Sequence, residues 1–199
     1  AGKLEELDDI RKIAGTIIKK AKKLKKSKLA IQAPKNLDIK RIISGIILGN
    51  YKFKIGDKKD FFTPKKVNII SNDKITKNML KDEINLAESQ NLIRDLVNLP
   101  SNLMTPSILE EEAKKISKGL KNPLKFKSLG EKEMLKLGMG SLLSVGQGSK
   151  EESKLIIFEY FGGDKKDAPI AFVGKGVCFD SGGYNVKPTG HIEDMKTDM

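Results

Sequence analysis

The chain has 199 residues, a formal net charge of +12 at pH 7 and one cysteine. It has no stretch near the roughly 20 consecutive apolar residues that a membrane-spanning helix needs, and a single cysteine cannot form an internal disulfide bond. Composition therefore argues against a membrane-spanning protein and against a disulfide-stapled secreted domain. It predicts a cytoplasmic protein with no membrane partner.

Hydrophobic periodicity predicts alternating helices and strands in the first half of the chain. The predicted elements are, in order, a helix over residues 4–24, a strand over 28–32, a helix over 39–48, a strand over 67–71 and a long helix over 76–97. Pro100 cannot continue a helix and ends the last of these. Such alternation is typical of an α/β fold.

The second half continues the α/β pattern. Thr105 and Pro106 predict the start of a further helix, because threonine is a good N-cap and proline suits the first helical position. Four short apolar runs then predict strands over residues 124–128, 141–145, 154–160 and 169–173.

The stretch that follows the last predicted strand has the most suggestive chemistry. Gly174 and Gly176 end that strand, and Asp180 precedes Ser-Gly-Gly, which frees the backbone to bring this carboxylate close to a ligand or a substrate. Asp198 supplies a second oxygen donor. Because Zn²⁺, Mn²⁺ and Mg²⁺ all accept carboxylate oxygen, the pattern indicates a divalent-cation site and leaves the metal open.

Two lysines, Lys175 and Lys187, lie in the same stretch. An ammonium group beside two metal ions is repelled, so one lysine can lose its proton and become a nitrogen ligand. A second lysine, slightly further out, can stay charged and stabilise an oxyanion. This division of labour between the two lysines describes a catalytic mechanism, and without further signals the residues indicate a metal- or phosphate-handling α/β domain.

Residues 173–199 carry Gly-Lys-Gly, Phe-Asp-Ser-Gly-Gly, a lysine four residues later and a closing Asp-Met-Lys-Thr-Asp-Met. This segment resembles, without a gap, the signature of the leucine aminopeptidase (cytosol aminopeptidase) family of two-metal exopeptidases. Residues 91–106 resemble that family's connection into its catalytic domain, and residues 137–149 resemble its next sequence block.

The resemblance assigns roles to individual residues. It implies that Lys175 binds metal through a neutral amine, that Asp180 bridges two divalent ions, Zn or Mn, and that Asp198 binds one ion near the substrate amine. Lys187 is then the charged lysine that polarises the scissile carbonyl and stabilises the gem-diolate. Met195 matches a position lining the pocket for the substrate's first side chain, which favours apolar, leucine-like residues; plain core packing is the alternative for this methionine.

The resemblance also predicts the domain organisation. Residues 1–82 are expected to form the C-terminal part of a small α/β N-terminal domain. Residues 83–199 are expected to form a linker helix and the first part of a mixed-sheet, helix-flanked catalytic domain. The implied function is metal-dependent release of N-terminal residues from peptides, with a homo-hexamer as the assembly of the full-length parent.

One motif of the family has no counterpart in the 199 residues. In the family, Asn-Thr-Asp-Ala-Glu-Gly-Arg supplies two further carboxylate ligands and an arginine associated with bicarbonate. We therefore expect the chain to be an internal fragment of a longer parent. The fragment alone is expected to be inactive, and any bicarbonate is expected only in the parent.

The net charge of +12 raises an alternative, a basic nucleic-acid-binding or degenerate non-catalytic protein. Only three of the 38 basic residues are arginine, so the side chain best suited to bidentate phosphate contacts is scarce. Lysine pairs between residues 19 and 26 lie on or just after a helix with an apolar stripe opposite, as on a solvated helix face. Nucleic acid is therefore not expected as the primary partner.

Overall fold

The computed structural model describes residues 7–35, 37–55, 61–119, 124–164 and 166–198, without the side chains of Leu7, Lys196 and Asp198. The chain divides into two compact units, Ala1–Asp95 and Leu96–Met199. Both contain helices and a small sheet, so the predicted α/β class is confirmed. The domain boundary expected between residues 82 and 83 stays a prediction.

The first unit contains a two-stranded parallel sheet with helices before, between and after the strands. Its elements are α1 (Leu7–Lys23), β1 (Lys28–Gln32), α2 (Ile39–Asn50), β2 (Lys66–Ile70) and most of α3 (Lys77–Asn98). Leu29 lies opposite Val67 and Ile31 opposite Ile69, and α2 forms part of the crossover that a parallel pair requires. All five elements match the predictions closely; residues 4–6 of the first predicted helix lie outside the described residues.

The core of the first unit lies where α1 packs against α2. Its buried apolar side chains come from both helices and from the residue that follows β1: Ile10, Ala14, Ala33, Ile39, Ile42 and Ile43. Glycine allows the two backbones to approach. A Cβ atom added at Gly45 would lie 2.4 Å from the Arg11 carbonyl oxygen. That oxygen belongs to the backbone of α1 and cannot move aside without shifting the helix.

The second unit contains an antiparallel strand pair and short helices. Its elements are α4 (Pro106–Gly119), β3 (Lys125–Leu129), α5 (Glu131–Lys136), α6 (Gly140–Gly146), β4 (Leu155–Glu159) and a 3₁₀ helix (Glu193–Asp198). Phe126 lies opposite Phe158 in the strand pair, with ring centroids 5.9 Å apart. Met104 and Met134 are fully buried. Within the described ranges of the whole chain, none of the helices combines the length and apolar character needed to cross a membrane.

Two of the predicted strands are wrong. Residues 141–145 lie in α6, where the Leu143 N–H donates to the Met139 carbonyl; short apolar runs do not distinguish a strand from a helix by periodicity. Residues 169–173 form no strand pairing with any described residue, and Phe172 and Val173 are 94% and 98% exposed. A strand needs a partner for its backbone N–H and C=O groups, so an apolar pattern without one does not make a strand.

Gly45→Ala should destabilise the chain because its new methyl group collides with the backbone of α1. We expect a loss of about 1–3 kcal/mol, as for overpacked cores, which outweighs the gain in helix propensity of up to about 1 kcal/mol. Gly15→Ala is the matched control, because the nearest atoms to its Cβ lie at 3.4 and 3.6 Å. This variant should be neutral or slightly stabilised. Urea unfolding followed by circular dichroism measures both, and equal midpoints for the two variants would contradict the close-packing argument.

Candidate metal centre

Asp180 lies in a tight loop that depends on glycine. Its Oδ1 accepts a hydrogen bond from the Gly182 N–H at 3.0 Å. Gly182 and Gly183 have φ angles of +88° and +65°, a region in which a side chain is strained. The Lys187 N–H donates to the Ser181 carbonyl at 2.9 Å and closes the loop. The Ser-Gly-Gly sequence therefore sets the position of the carboxylate.

The Lys187 ammonium brings three of the predicted site residues together. Its Nζ donates to Asp180 Oδ2 at 2.8 Å and to Met195 Sδ at 2.7 Å. Met195 belongs to the 3₁₀ helix, so one ammonium group joins the glycine loop to that helix. The side chains of Lys187 and Asp180 are 30% and 43% exposed, which leaves both open to a ligand.

The pKa of the Asp180 carboxyl lies below its usual value. The hydrogen bond from Lys187 is the largest cause and the Gly182 N–H is the second, while the charges of Lys187 and Lys175 act in the same direction. Lys175 is exposed and lies close enough to influence this carboxylate electrostatically. Asp180 is therefore ionised at neutral pH, which is the form that a metal ligand requires.

The structure brings some of the predicted site residues together and leaves others untested. Asp180, Lys187 and Met195 are in contact, and Lys175 lies nearby. The side chain of Asp198 lies outside the described residues. In the described ranges, no three His, Cys, Asp or Glu side chains are grouped to hold a metal ion. The carboxylate oxygen of Asp180 is a donor that Zn²⁺ and Mn²⁺ accept, the Lys175 amine lies nearby, and the ligand roles stay predictions.

Sequence reasoning missed the contacts that organise this site. It indicated that Asp180 and Lys187 belong to one site, but not that Lys187 pairs with Asp180 or that its backbone closes the loop. The consecutive glycines were the available signal, because two positive φ angles in a row require a tight turn that returns the chain on itself. The location of Asp180 and Lys175 beyond the end of a strand was wrong, since residues 169–173 are not paired in a sheet.

Lys187→Gln should raise the pKa of Asp180 toward its ordinary value of 3.8, because the variant removes the largest cause of the shift. The hydrogen bond from the Gly182 N–H remains, so the pKa of Asp180 should rise only part of the way to its ordinary value. Because the pKa of Asp180 is lower in the folded state than in the unfolded state, ionised Asp180 stabilises the fold. This stabilisation is present above the unfolded pKa and is lost as pH falls through the folded pKa. The Asp180 carboxyl ¹³C resonance, followed against pH, measures the shift. Lys136→Gln, which alters an exposed lysine of α5, is the control; an unchanged Asp180 pKa in Lys187→Gln would contradict the assignment.

Known proteins are similar to this segment. Residues 91–199 match the model of a protein family described as "Cytosol aminopeptidase family, catalytic domain". The match spans more than half of the chain and includes every predicted site residue. These residues therefore form part of a peptidase catalytic domain. The chain belongs to the cytosol aminopeptidase family, and the predicted family is confirmed.

Curated relatives carry the same family name. A probable cytosol aminopeptidase of Saccharophagus degradans is 37% identical over 209 residues, which cover 97% of this chain and 42% of the relative. One of Pseudomonas syringae pv. tomato is 36% identical over 222 residues, which cover 100% of this chain and 43% of the relative. One of Brucella melitensis is 51% identical over 106 residues, which cover 53% of this chain and 21% of the relative. The chain thus spans less than half the length of these relatives.

A solved structure shares the fold. The bottromycin maturation enzyme BotP in complex with Mn superimposes with a TM-score of 0.81 over 98% of this chain and 41% of that protein. The two sequences are 24% identical. At this identity the likeness establishes the fold alone.

Proposed function

We propose that a longer protein containing this chain is a two-metal aminopeptidase that releases N-terminal, preferably leucine-like residues from peptides. The observation that carries the proposal is the contact of Lys187 with both Asp180 and Met195, inside a segment that matches a cytosol aminopeptidase catalytic domain. These three residues supply an ionised carboxylate, a cation and an apolar side chain within one small cluster. A metal-dependent peptidase that acts on an apolar first residue can use the carboxylate as a metal ligand, the cation as an oxyanion stabiliser and the apolar side chain as a pocket wall.

Asp180 and Lys175 are the described residues that would hold the metal ions, and Asp198 completes the proposed set. Two divalent ions supply, when bound, a Lewis acid for the carbonyl and an activated water. Asp180 is ionised at neutral pH because Lys187 and the Gly182 N–H lower its pKa. Lys175 would bind a metal ion through its side-chain nitrogen, as a neutral amine. Manganese is the first metal to test, since the similarly folded enzyme was solved with Mn, and zinc is the second.

Lys187 is the proposed electrostatic catalyst. The loop closure at Ser181 holds the Lys187 backbone beside the candidate metal ligand. A fixed cation near the scissile carbonyl stabilises the negative charge that develops on the oxygen in the transition state. Met195 is partly buried next to that ammonium and offers a polarisable, adaptable wall for an apolar side chain.

The remaining parts of the proposal rest on family membership. Peptides are the proposed substrates, the cytoplasm is the proposed location, and a homo-hexamer is the proposed assembly of the longer protein. Bicarbonate is proposed only for that longer protein. The relatives are named probable cytosol aminopeptidases, which supports the aminopeptidase chemistry and the cytosolic setting.

Metal-dependent leucine release from a leucyl amide tests the proposal. The longer protein loaded with Mn²⁺ should be active and a chelator should abolish its activity, whereas the 199-residue chain alone should not turn over. In the longer protein, Asp180→Asn should lower kcat/KM by more than about 100-fold, which exceeds the usual effect of outer-shell changes at metal sites. Lys187→Gln should lower kcat by about 10²- to 10³-fold, like the loss of an oxyanion donor.

Lys136→Gln is the matched lysine control for this assay and should retain full activity. An inactive longer protein with both Mn²⁺ and Zn²⁺ would contradict the proposed function. Enzyme-like turnover by the 199-residue chain would contradict the expectation that this fragment is inactive, while leaving the reaction class intact.

A further inference from the structure

We propose that Lys187 competes with the divalent cation for Asp180, so that a metal ion binding this carboxylate displaces the Lys187 ammonium. The inference rests on the proposed function, in which Asp180 is a metal ligand. It adds a step to that function: binding of the metal ion to Asp180 releases from this carboxylate the Lys187 ammonium, whose positive charge the proposed reaction uses.

The competition follows from the hydrogen bonds of the Asp180 carboxylate. Gly182 N–H donates to Oδ1 at 3.0 Å, and Lys187 Nζ donates to Oδ2 at 2.8 Å, so both oxygens already have a partner. An ion that bridges through this carboxylate would share Oδ2 with the ammonium. A metal–oxygen distance of about 2.0–2.2 Å would then place a divalent ion and an ammonium within a few ångströms of each other.

The relative strengths of the interactions decide which cation stays on Oδ2. Lys187 and Asp180 are 30% and 43% exposed, and an ion pair between such side chains contributes little net free energy. The repulsion between an ammonium and a doubly charged ion at close range is larger. The Asp180 carboxylate would therefore stay with a bound divalent ion, and the Lys187 ammonium would move away.

The surroundings of Lys187 allow this movement without opening the loop. Its backbone N–H is bonded to the Ser181 carbonyl, so only the flexible side chain has to turn. Its Nζ also contacts Met195 Sδ at 2.7 Å. This sulfur atom offers the ammonium a second position beside the Asp180 carboxylate. A thioether is a weak acceptor, so this contact would hold the ammonium less firmly than the carboxylate does.

Mn²⁺ affinity of the 199-residue chain tests the competition. Lys187→Gln should bind Mn²⁺ about 2- to 5-fold more tightly than the unaltered chain, the range expected for removing a weak exposed ion pair. Lys187→Arg keeps a cation on Asp180 and should stay within about 2-fold of the unaltered chain. Lys136→Gln removes a charge elsewhere and should change nothing. Titration calorimetry gives the Kd values, and circular dichroism checks that each variant is folded.

Unchanged or weaker Mn²⁺ binding by Lys187→Gln would overturn the inference, as would the absence of Mn²⁺ binding by every form of the chain. A tighter Kd for Lys136→Gln, equal to that for Lys187→Gln, would also overturn it, because the effect would then be a general loss of positive charge.

A second measurement follows the ammonium in the unaltered chain and needs no variant. The rate at which an amine-reactive acylating reagent modifies Lys187, mapped by mass spectrometry, should rise several-fold when Mn²⁺ is added, whereas the rate at Lys136 should not. An unchanged Lys187 rate with Mn²⁺ bound would overturn the inference. The labelling result does not depend on enzymatic turnover. If the longer protein is inactive but Mn²⁺ displaces Lys187, only the proposed function is refuted. If the longer protein is active but Mn²⁺ does not displace Lys187, only the competition between Lys187 and the metal ion is refuted.

Discussion

The backbone hydrogen bond from Lys187 to the Ser181 carbonyl is the constraint on which the candidate centre depends. It returns the chain on itself seven residues after Asp180, so that a carboxylate and an ammonium from the same short segment meet. Two glycines with positive φ make this return possible. The Lys187 side chain, held at this closure, contacts both Asp180 in the loop and Met195 in the 3₁₀ helix. The chemistry of the segment is thus set by local chain geometry rather than by a large surrounding core.

Much of the first unit could be predicted because its signals are local. The apolar stripe of α1 and the short apolar runs of β1 and β2 define their own secondary structure. The start of α4 was equally clear: Thr105 Oγ1 accepts from the Ile108 N–H at 3.4 Å, and Pro106 is the first helical residue. The family was predictable for a different reason, since a gapless resemblance to a family signature over residues 173–199 is far more specific than any periodicity.

The errors concern features that depend on partners elsewhere in the chain. Residues 169–173 have the composition of a buried strand, but strand formation needs a neighbouring backbone, and composition does not reveal one. Residues 141–145 are bounded by glycines and too short for a periodic pattern, and local hydrogen bonds make them helical. The pairing of Lys187 with Asp180 depends on φ angles and rotamers that a list of residue types does not contain.

The exposed segment 169–173 also bears on how the chain behaves in concentrated solution. An extended apolar run with open backbone groups is a template on which the same segment of another copy can pair. Lys166 and Lys175 flank it, and charges beside such a run act as gatekeepers that oppose self-association. Added salt screens these charges, so colloidal stability should fall as ionic strength rises. The lysine-rich composition thereby acquires a role in keeping copies of the chain apart.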